Sequence, residues 1–354
     1  MKKIVIIVIV IGLLGSYLVP MFMKDTDSNE SPFQFGFSDN LAIKYGQVVS
    51  IPIETNGEVK NLSISFDGKL LQKYSNPKEK EMITLDSKYY PIGAYEIEMH
   101  GLDLTGQYFT EIRNVRILSD VVPEKWKLEI VTKFPHKETS FTQGLAFSGD
   151  QLYEGTGDPN QDGSTLVAKV NLKTGEINEK IGLDASHFGE GITILGNELF
   201  QLTWLNHTCM VYDKETLKSI KEFSYTTEGW GICTDGKQLF MSDGSERIYV
   251  RNPKNFEIIK TIEVYTNETA VPRLNELEYV NGLIYANIWT SNEIAVIDPQ
   301  SGKVMALIDA TNLVNEGKGN GEVLNGIAYH PKSNKLYMTG KFWPTLFEVK
   351  VLKN

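Results

Sequence analysis

Cysteine and histidine are scarce in this sequence, at 2 and 5 residues of 354. The five histidines form no spaced ligand set, so neither a structural nor a catalytic zinc site has support. Cys209 and Cys233 stand alone, which leaves no lipid-attached cysteine near the N-terminus. Both fall in predicted strands of neighbouring repeats, where they either pair or stay buried as free thiols. Basic residues are also outnumbered. The net charge is −10 and no basic stripe offsets it, which argues against a nucleic-acid partner.

Lys2 and Lys3 precede an apolar run from Ile4 to Met23, long enough for a bilayer span of roughly 20 residues. The lysines place its start in the cytoplasm and the remainder of the chain outside. The run ends without a clear small-x-small cleavage site. Residues 1–23 are therefore expected to remain as a membrane signal anchor, with the folded part extracytoplasmic. Residues 24–32 read as a polar linker. From 33 to 120 the pattern is short alternating strands such as Val48–Ile53, Leu62–Phe66, Tyr95–Met99 and Ile112–Leu118. With no helical period, they predict a small immunoglobulin-like β-sandwich that serves as a spacer or docking module.

Beyond Pro123 a longer repeat sets the fold. Five segments open alike, with Gly144, Gly191, Gly231, Glu276 and Gly326 at equivalent places and spacings of 47, 40, 45 and 50. Each opening leads through a polar turn to a second strand, and in four repeats a third strand ends in a tight turn opened by Asn171, Asp213, Asn252 or Asp298. Repeats of this length, built from about four short strands, are propeller blades. The fifth repeat runs out after three strands, whereas Lys127–Lys133 is a spare strand ahead of the first. The expected architecture is an all-β, five-bladed β-propeller over 124–354, with the spare strand pairing into the last blade to close the ring.

The innermost strands of a propeller line its axis, so alignment columns become physical layers. The column before the repeat-opening glycine reads Gln143, Glu190, Trp230, Asn275 and Asn325. A second, at the end of the second strands, reads Gly157, Trp204, Gly244, Trp289 and Lys341. Taken singly, a tryptophan in a β protein belongs to a core. Three of the five tryptophans falling in two symmetry-related columns reverses that reading and predicts an aromatic cage with one fixed cation.

The motifs Phe141-Thr-Gln-Gly-Leu145, Phe188-Gly-Glu-Gly-Ile192, Leu202-Thr-Trp204, Glu228-Gly-Trp-Gly231, Asn275-Glu-Leu-Glu278, Asn287-Ile-Trp289 and Leu324-Asn-Gly326 with Gly340-Lys341 resemble the glutamine cyclotransferase family in order and spacing. The resemblance covers about 124–354. It implies conversion of the N-terminal glutamine of a peptide or protein to pyroglutamate with loss of ammonia, with neither metal nor organic cofactor. It also implies roles. Glu190 would shuttle the proton between the two nitrogens. Lys341 and Asn275 would stabilise the oxyanion, unless Lys341 instead tunes Glu190. Gln143 would bond the substrate backbone, Asn325 would serve the substrate site or a backbone group, and Phe141, Phe188, Trp204, Trp230 and Trp289 would grip the carboxamide. Two readings compete. Glu190, Asn275 and Asn325 could ligate calcium in a lactonase-like propeller hydrolase, although a nearby lysine opposes a divalent ion. A non-enzymatic propeller could instead capture peptide ends.

Overall fold

Short antiparallel strands joined by tight polar turns fill the computed structural model, which describes residues 30–353. The expected signal anchor over 1–23 and most of the expected linker over 24–32 lie outside the described residues. Among the described residues no helix is long and apolar enough to cross a membrane. The chain divides into two compact units. One takes residues up to Ser38 with Ser50–Ile83 and Glu96–Arg113, and the other takes Asp39–Val49, Thr84–Tyr95 and everything from Asn114 on.

The N-terminal strands form two sheets. Phe33–Phe35, Val48–Thr55 and Lys80–Asp86 make a three-stranded sheet, with Val48–Thr55 in the middle. Leu41–Lys44, Tyr108–Leu118, Gly93–Asp103, Val59–Phe66 and Lys69–Ser75 make a five-stranded one, in that order. Val59–Phe66 buries Val59, Leu62, Ile64 and Phe66 while the residues between them are more exposed. From Leu62 to Phe66 the period is two, as in a sheet with one face in a core, and a register shift after Val59 accounts for the longer first step.

The repeats come next along the chain. Thr142–Ser148, Gln151–Thr156, Leu166–Val170 and Ile177–Gly182 form the first four-stranded sheet. Gly189–Leu195, Glu198–Thr203, Thr208–Asp213 and Ser219–Ser224 form the second. Ile232–Thr234, Leu239–Ser242, Arg247–Arg251 and Ile258–Glu263 form the third. The fourth repeat (Leu274–Val280, Leu283–Ile288, Glu293–Ile297, Val304–Asp309) and the fifth (Leu324–His330, Lys335–Gly340, Thr345–Leu352) share one eight-stranded sheet through Glu124–Pro135. This spare strand runs antiparallel to Thr345–Leu352 over its length, from Lys127 opposite Leu352 to Pro135 opposite Thr345. Its first residues also pair in parallel with Ala306–Asp309, a contact that no sequence pattern announces.

Each opening strand neighbours the next, and the fifth neighbours the first, so the five form a closed, propeller-like cycle. Apolar clusters fill the seams. Tyr153 and Val167 pack with Ile192, Leu199 and Tyr212 between the first two sheets, and Leu145, Leu152 and Val170 pack with Ala328, Tyr337 and Leu346 between the first and the fifth. The hub is tight at three of its five glycine-column positions. A Cβ on Gly144, Gly191 or Gly231 would strike the backbone of the next repeat. Glu276, in the one slot that is not glycine, reaches across the hub, accepting from the Ile327 N–H at 2.8 Å and the Leu145 N–H at 3.4 Å. A single carboxyl thus satisfies backbone N–H groups midway along the opening strands of two other repeats.

The third-strand turns form as their residue types dictate. Side-chain oxygens of Asn171, Asp213, Asn252 and Asp298 accept from backbone N–H groups two or three residues on. The closing residues Gly175, Leu217, Phe256 and Gly302 have φ between 53° and 77°. For leucine and phenylalanine that conformation costs about 1–2 kcal/mol. Both are buried, and core packing offsets the cost. One element went unforeseen: a helix, Thr311–Gly317, joins the fourth repeat to the fifth and buries Leu313 and Gly317. Cys209 and Cys233 are buried free thiols, so of the two readings left open for them pairing is the one that fails.

Candidate active site

The two predicted columns converge on one cavity of about 440 Å³. Of the expected residues, Glu190, Gln143, Asn275 and Lys341 belong to its polar lining, and Phe141, Phe188, Trp204, Trp230 and Trp289 form its aromatic walls. Asn325 is the exception among the expected residues. Its Nδ2 donates to the Thr142 carbonyl at 3.0 Å and to Gln143 Oε1 at 3.2 Å, away from the lining. It braces Gln143, and of its two expected roles the bond to backbone is the one seen. Gln143 in turn donates from Nε2 to Glu190 Oε1 at 3.0 Å. Its amide, expected on substrate backbone, is engaged at both ends with protein and fixes the carboxyl group.

The small members of the second column make room for the large ones. A Cβ on Gly157 would meet the Phe188 ring, and one on Gly244 would meet the Trp230 ring. The aromatic rings touch in series. Phe141 lies edge-on to Phe188 at 6.0 Å, Phe188 to Trp204 at 5.7 Å, and Trp230 to Trp289 at 5.6 Å. Edge-to-face pairs of this kind add to the area they bury. Trp289, 40% exposed, forms the mouth. Lys341 Nζ stands 4.4 Å above the Phe141 ring.

The enclosure sets the electrostatics. Glu190 is 5% exposed. Burial raises its pKa well above the usual carboxyl range, the Glu228 charge adds to the rise, and the Lys341 charge only partly opposes it. The sequence left open whether desolvation or the lysine prevails, and desolvation does. Lys341, 4% exposed, is lowered by the same burial against the pull of Glu190 and Glu322. Both groups are drawn toward their neutral forms, where small changes in bound charge move protons. The Asn275 Oδ1 is buried with no hydrogen-bond partner among the described residues.

Two lining residues escaped the sequence analysis, Glu228 and Glu322. Glu228 was legible only as the residue that opens the Gly-Trp-Gly motif. Glu322 lies outside every motif, and its carbonyl accepts from the Trp343 indole. Among the described residues no group of three or more histidine, cysteine or acidic side chains is arranged to hold a metal ion.

Comparison with known proteins accords with this geometry. The sequence model of the family described as glutamine cyclotransferase matches residues 105–351. A glutaminyl-peptide cyclotransferase of Arabidopsis thaliana is 40% identical over 231 residues, which are 64% of this chain and 71% of that protein. The crystal structure of Myxococcus xanthus glutaminyl cyclase superposes with a TM-score of 0.62 at 33% identity, over 66% of this chain and 99% of that one. The chain therefore belongs to the glutamine cyclotransferase family.

Proposed function

We propose that this chain is a glutaminyl-peptide cyclotransferase, converting the N-terminal glutamine of peptides or proteins to pyroglutamate and ammonia. The observation that carries the reading is Glu190, a buried carboxyl group clamped by Gln143 beside an aromatic hollow. The family match and the two relatives support the same activity.

The chemistry suits these residues. The α-amine must lose a proton before it attacks the γ-carbonyl, and its ordinary pKa is about 7.7–8.0. A carboxyl group raised by burial takes that proton at little cost. The new N–C bond closes a five-membered ring, and the carbonyl oxygen becomes an oxyanion near Lys341 and Asn275. Glu190 then gives its proton to the departing nitrogen, which leaves as ammonia. The second proton lost by the attacking nitrogen also reaches Glu190, which passes it on to the ammonia, so ammonium leaves and the carboxylate ends as it began. The aromatic walls hold the flexible glutamine side chain in its ring-closing shape, which removes an entropic part of the barrier. In class terms the step is an acyl transfer from one nitrogen to another.

The surrounding architecture is proposed as five blades over 124–354, preceded by an immunoglobulin-like module over 33–120. The closed cycle of opening strands supports the first part, and the two N-terminal sheets support the second. Residues 1–23 would tether the protein outside the cytoplasmic membrane, as their apolar run after two lysines favours.

Incubating the purified full chain with a glutamine-initiated dipeptide should release ammonia at a rate that EDTA leaves unchanged. Glu190→Gln should lower kcat by about 10²-fold or more while KM stays within about threefold. No ammonia from the wild type would overturn the reading. Tight dipeptide binding without turnover would favour a peptide-capturing propeller instead.

A further inference from the structure

Glu228 stands at a junction between the aromatic walls. Its Oε2 accepts from the Trp204 indole N–H at 2.7 Å and from the Trp230 indole N–H at 2.8 Å. Charge-assisted bonds of this kind are short and strong, and indoles in an apolar enclosure need an acceptor. Trp204 comes directly after the second strand of the second repeat, whereas Trp230 opens the third. The ring contacts fall into two series, Phe141–Phe188–Trp204 and Trp230–Trp289. Glu228 is what links them.

The local backbone is built for that link. Gly229 lies so close to the Tyr225 hydroxyl and the Thr203 carbonyl that a side chain there would collide with both. The Tyr225 hydroxyl donates to the Thr203 carbonyl and accepts from the Thr203 N–H, tying the residue before Trp204 to the segment that carries Glu228. Both indole bonds go to Oε2 of a residue that lines the cavity with Glu190, which leaves Oε1 outside the indole clamp.

We propose that Glu228 is a positioning residue, which fixes Trp204 and Trp230 as one wall of the cavity and sets the electrostatic surroundings of Glu190. The inference rests on the cyclotransferase reading of this site. The charged and titratable groups around Glu190 are Lys341, which opposes Glu228, Glu228 itself, Glu322, which lines the same cavity and acts on Lys341, and the Tyr225 phenol, while Gln143 and Asn275 are neutral. Removing the Glu228 charge therefore makes Glu190 easier to ionise.

The test compares wild type, Glu228→Gln and Glu228→Ala in the full chain, with one glutamine-initiated dipeptide. Glu228→Gln keeps an amide oxygen for the indoles but removes the charge. It should leave the near-UV circular dichroism of the tryptophans intact and move the acidic limb of kcat/KM about half a pH unit or more downward. Glu228→Ala should change the near-UV signal and raise KM about tenfold, with kcat less affected. An acidic limb in Glu228→Gln that superimposes on wild type overturns the electrostatic role. An unchanged tryptophan signal and KM in Glu228→Ala overturns the positioning role, and should that variant fail to fold, the dipeptide KM and near-UV signal of Glu228→Gln carry the decision. Failure of the cyclotransferase reading looks different, because the wild type would then release no ammonia while the near-UV comparison still reports on the indoles.

Discussion

Glu190 and Lys341 share one cavity, and burial rather than pairing governs both. The arrangement separates two roles for Lys341. If it stabilises the oxyanion, its loss lowers the plateau of kcat, whereas if it only tunes Glu190, its loss moves the pH limb alone. Lys341→Met removes the one charge that lowers Glu190, so the acidic limb of kcat/KM should move to higher pH. The plateau of kcat should also fall about 10²-fold, measured well above the new limb, because a preorganised donor is lost. A plateau restored to the wild-type value would leave Lys341 as a tuner only. The membership of this site was legible in the sequence because fivefold repetition turns columns into layers. The bonds within it were not. Gln143 and Asn325 are amides whose partners depend on side-chain rotations, and Glu228 lies outside both columns, two residues before Trp230.

Strands were easier to read than the connections between them. Alternation and Asx turns mark the strands, but the seven-residue helix Thr311–Gly317 is too short to show a period, and its N-cap residue, Ala310, has no capping side chain. Within the opening strand of the fourth repeat, two carboxyl groups sit where a strand ordinarily carries neutral residues. Glu276 and Glu278 accept backbone N–H groups from the fifth repeat, at Ile327 and Tyr329. Burial lifts the Glu278 pKa from 4.5 to about 8, despite its hydrogen bonds. Between those values the folded chain binds a proton that the unfolded chain does not, so stability is greatest below about pH 4.5 for this group and falls as pH rises through about 8. Glu278→Gln keeps an oxygen for the Tyr329 N–H and removes the titration. Its melting temperature should exceed the wild type's by about 6 °C or more at pH 8 and come close to it near pH 5, the difference corresponding to about 3–4 kcal/mol. Equal melting temperatures at both pH values would rule out a titrating Glu278.

At the scale of the whole ring, the seam between the fifth repeat and the first is held by a buried charge pair. The His136 Nδ1 donates to the Trp343 carbonyl at 2.7 Å and Nε2 to Glu154 Oε1 at 3.1 Å, so both ring nitrogens carry protons. Burial disfavours the charged ring, but the Glu154 charge and hydrogen bond and the Trp343 carbonyl outweigh it and raise the His136 pKa. Burial likewise disfavours the Glu154 charge, yet His136, Thr142 and Ser140 hold its pKa below the ordinary value. The histidine's contribution is complete below about pH 6.5 and is lost as pH rises through its raised pKa. The glutamate's is complete above about pH 4.5 and is lost on acidification. The pair is therefore strongest near pH 6. Glu154→Gln strands the imidazolium, which costs about 3 kcal/mol or more in a buried site. The melting temperature should drop by at least about 6 °C at pH 6 and by less at pH 9. A drop that is equal at both would mean that the pair is not charged.

The same seam imposes an order on biosynthesis. Glu124–Pro135 leaves the ribosome before any of the five repeats, yet its full-length partner, Thr345–Leu352, is the last strand of the fifth. Until then the strand has at most the short parallel pairing of its first residues with Ala306–Asp309, and the edge left unpaired invites pairing with a neighbouring nascent chain. Joining ends so distant in sequence is slow, because the loop must close before the contacts can stabilise it. Holdase chaperones that mask this one strand should raise the yield of soluble protein more than those acting on the interior repeats, and circular permutants that open the chain between repeats, leaving the seam covalent, should refold faster.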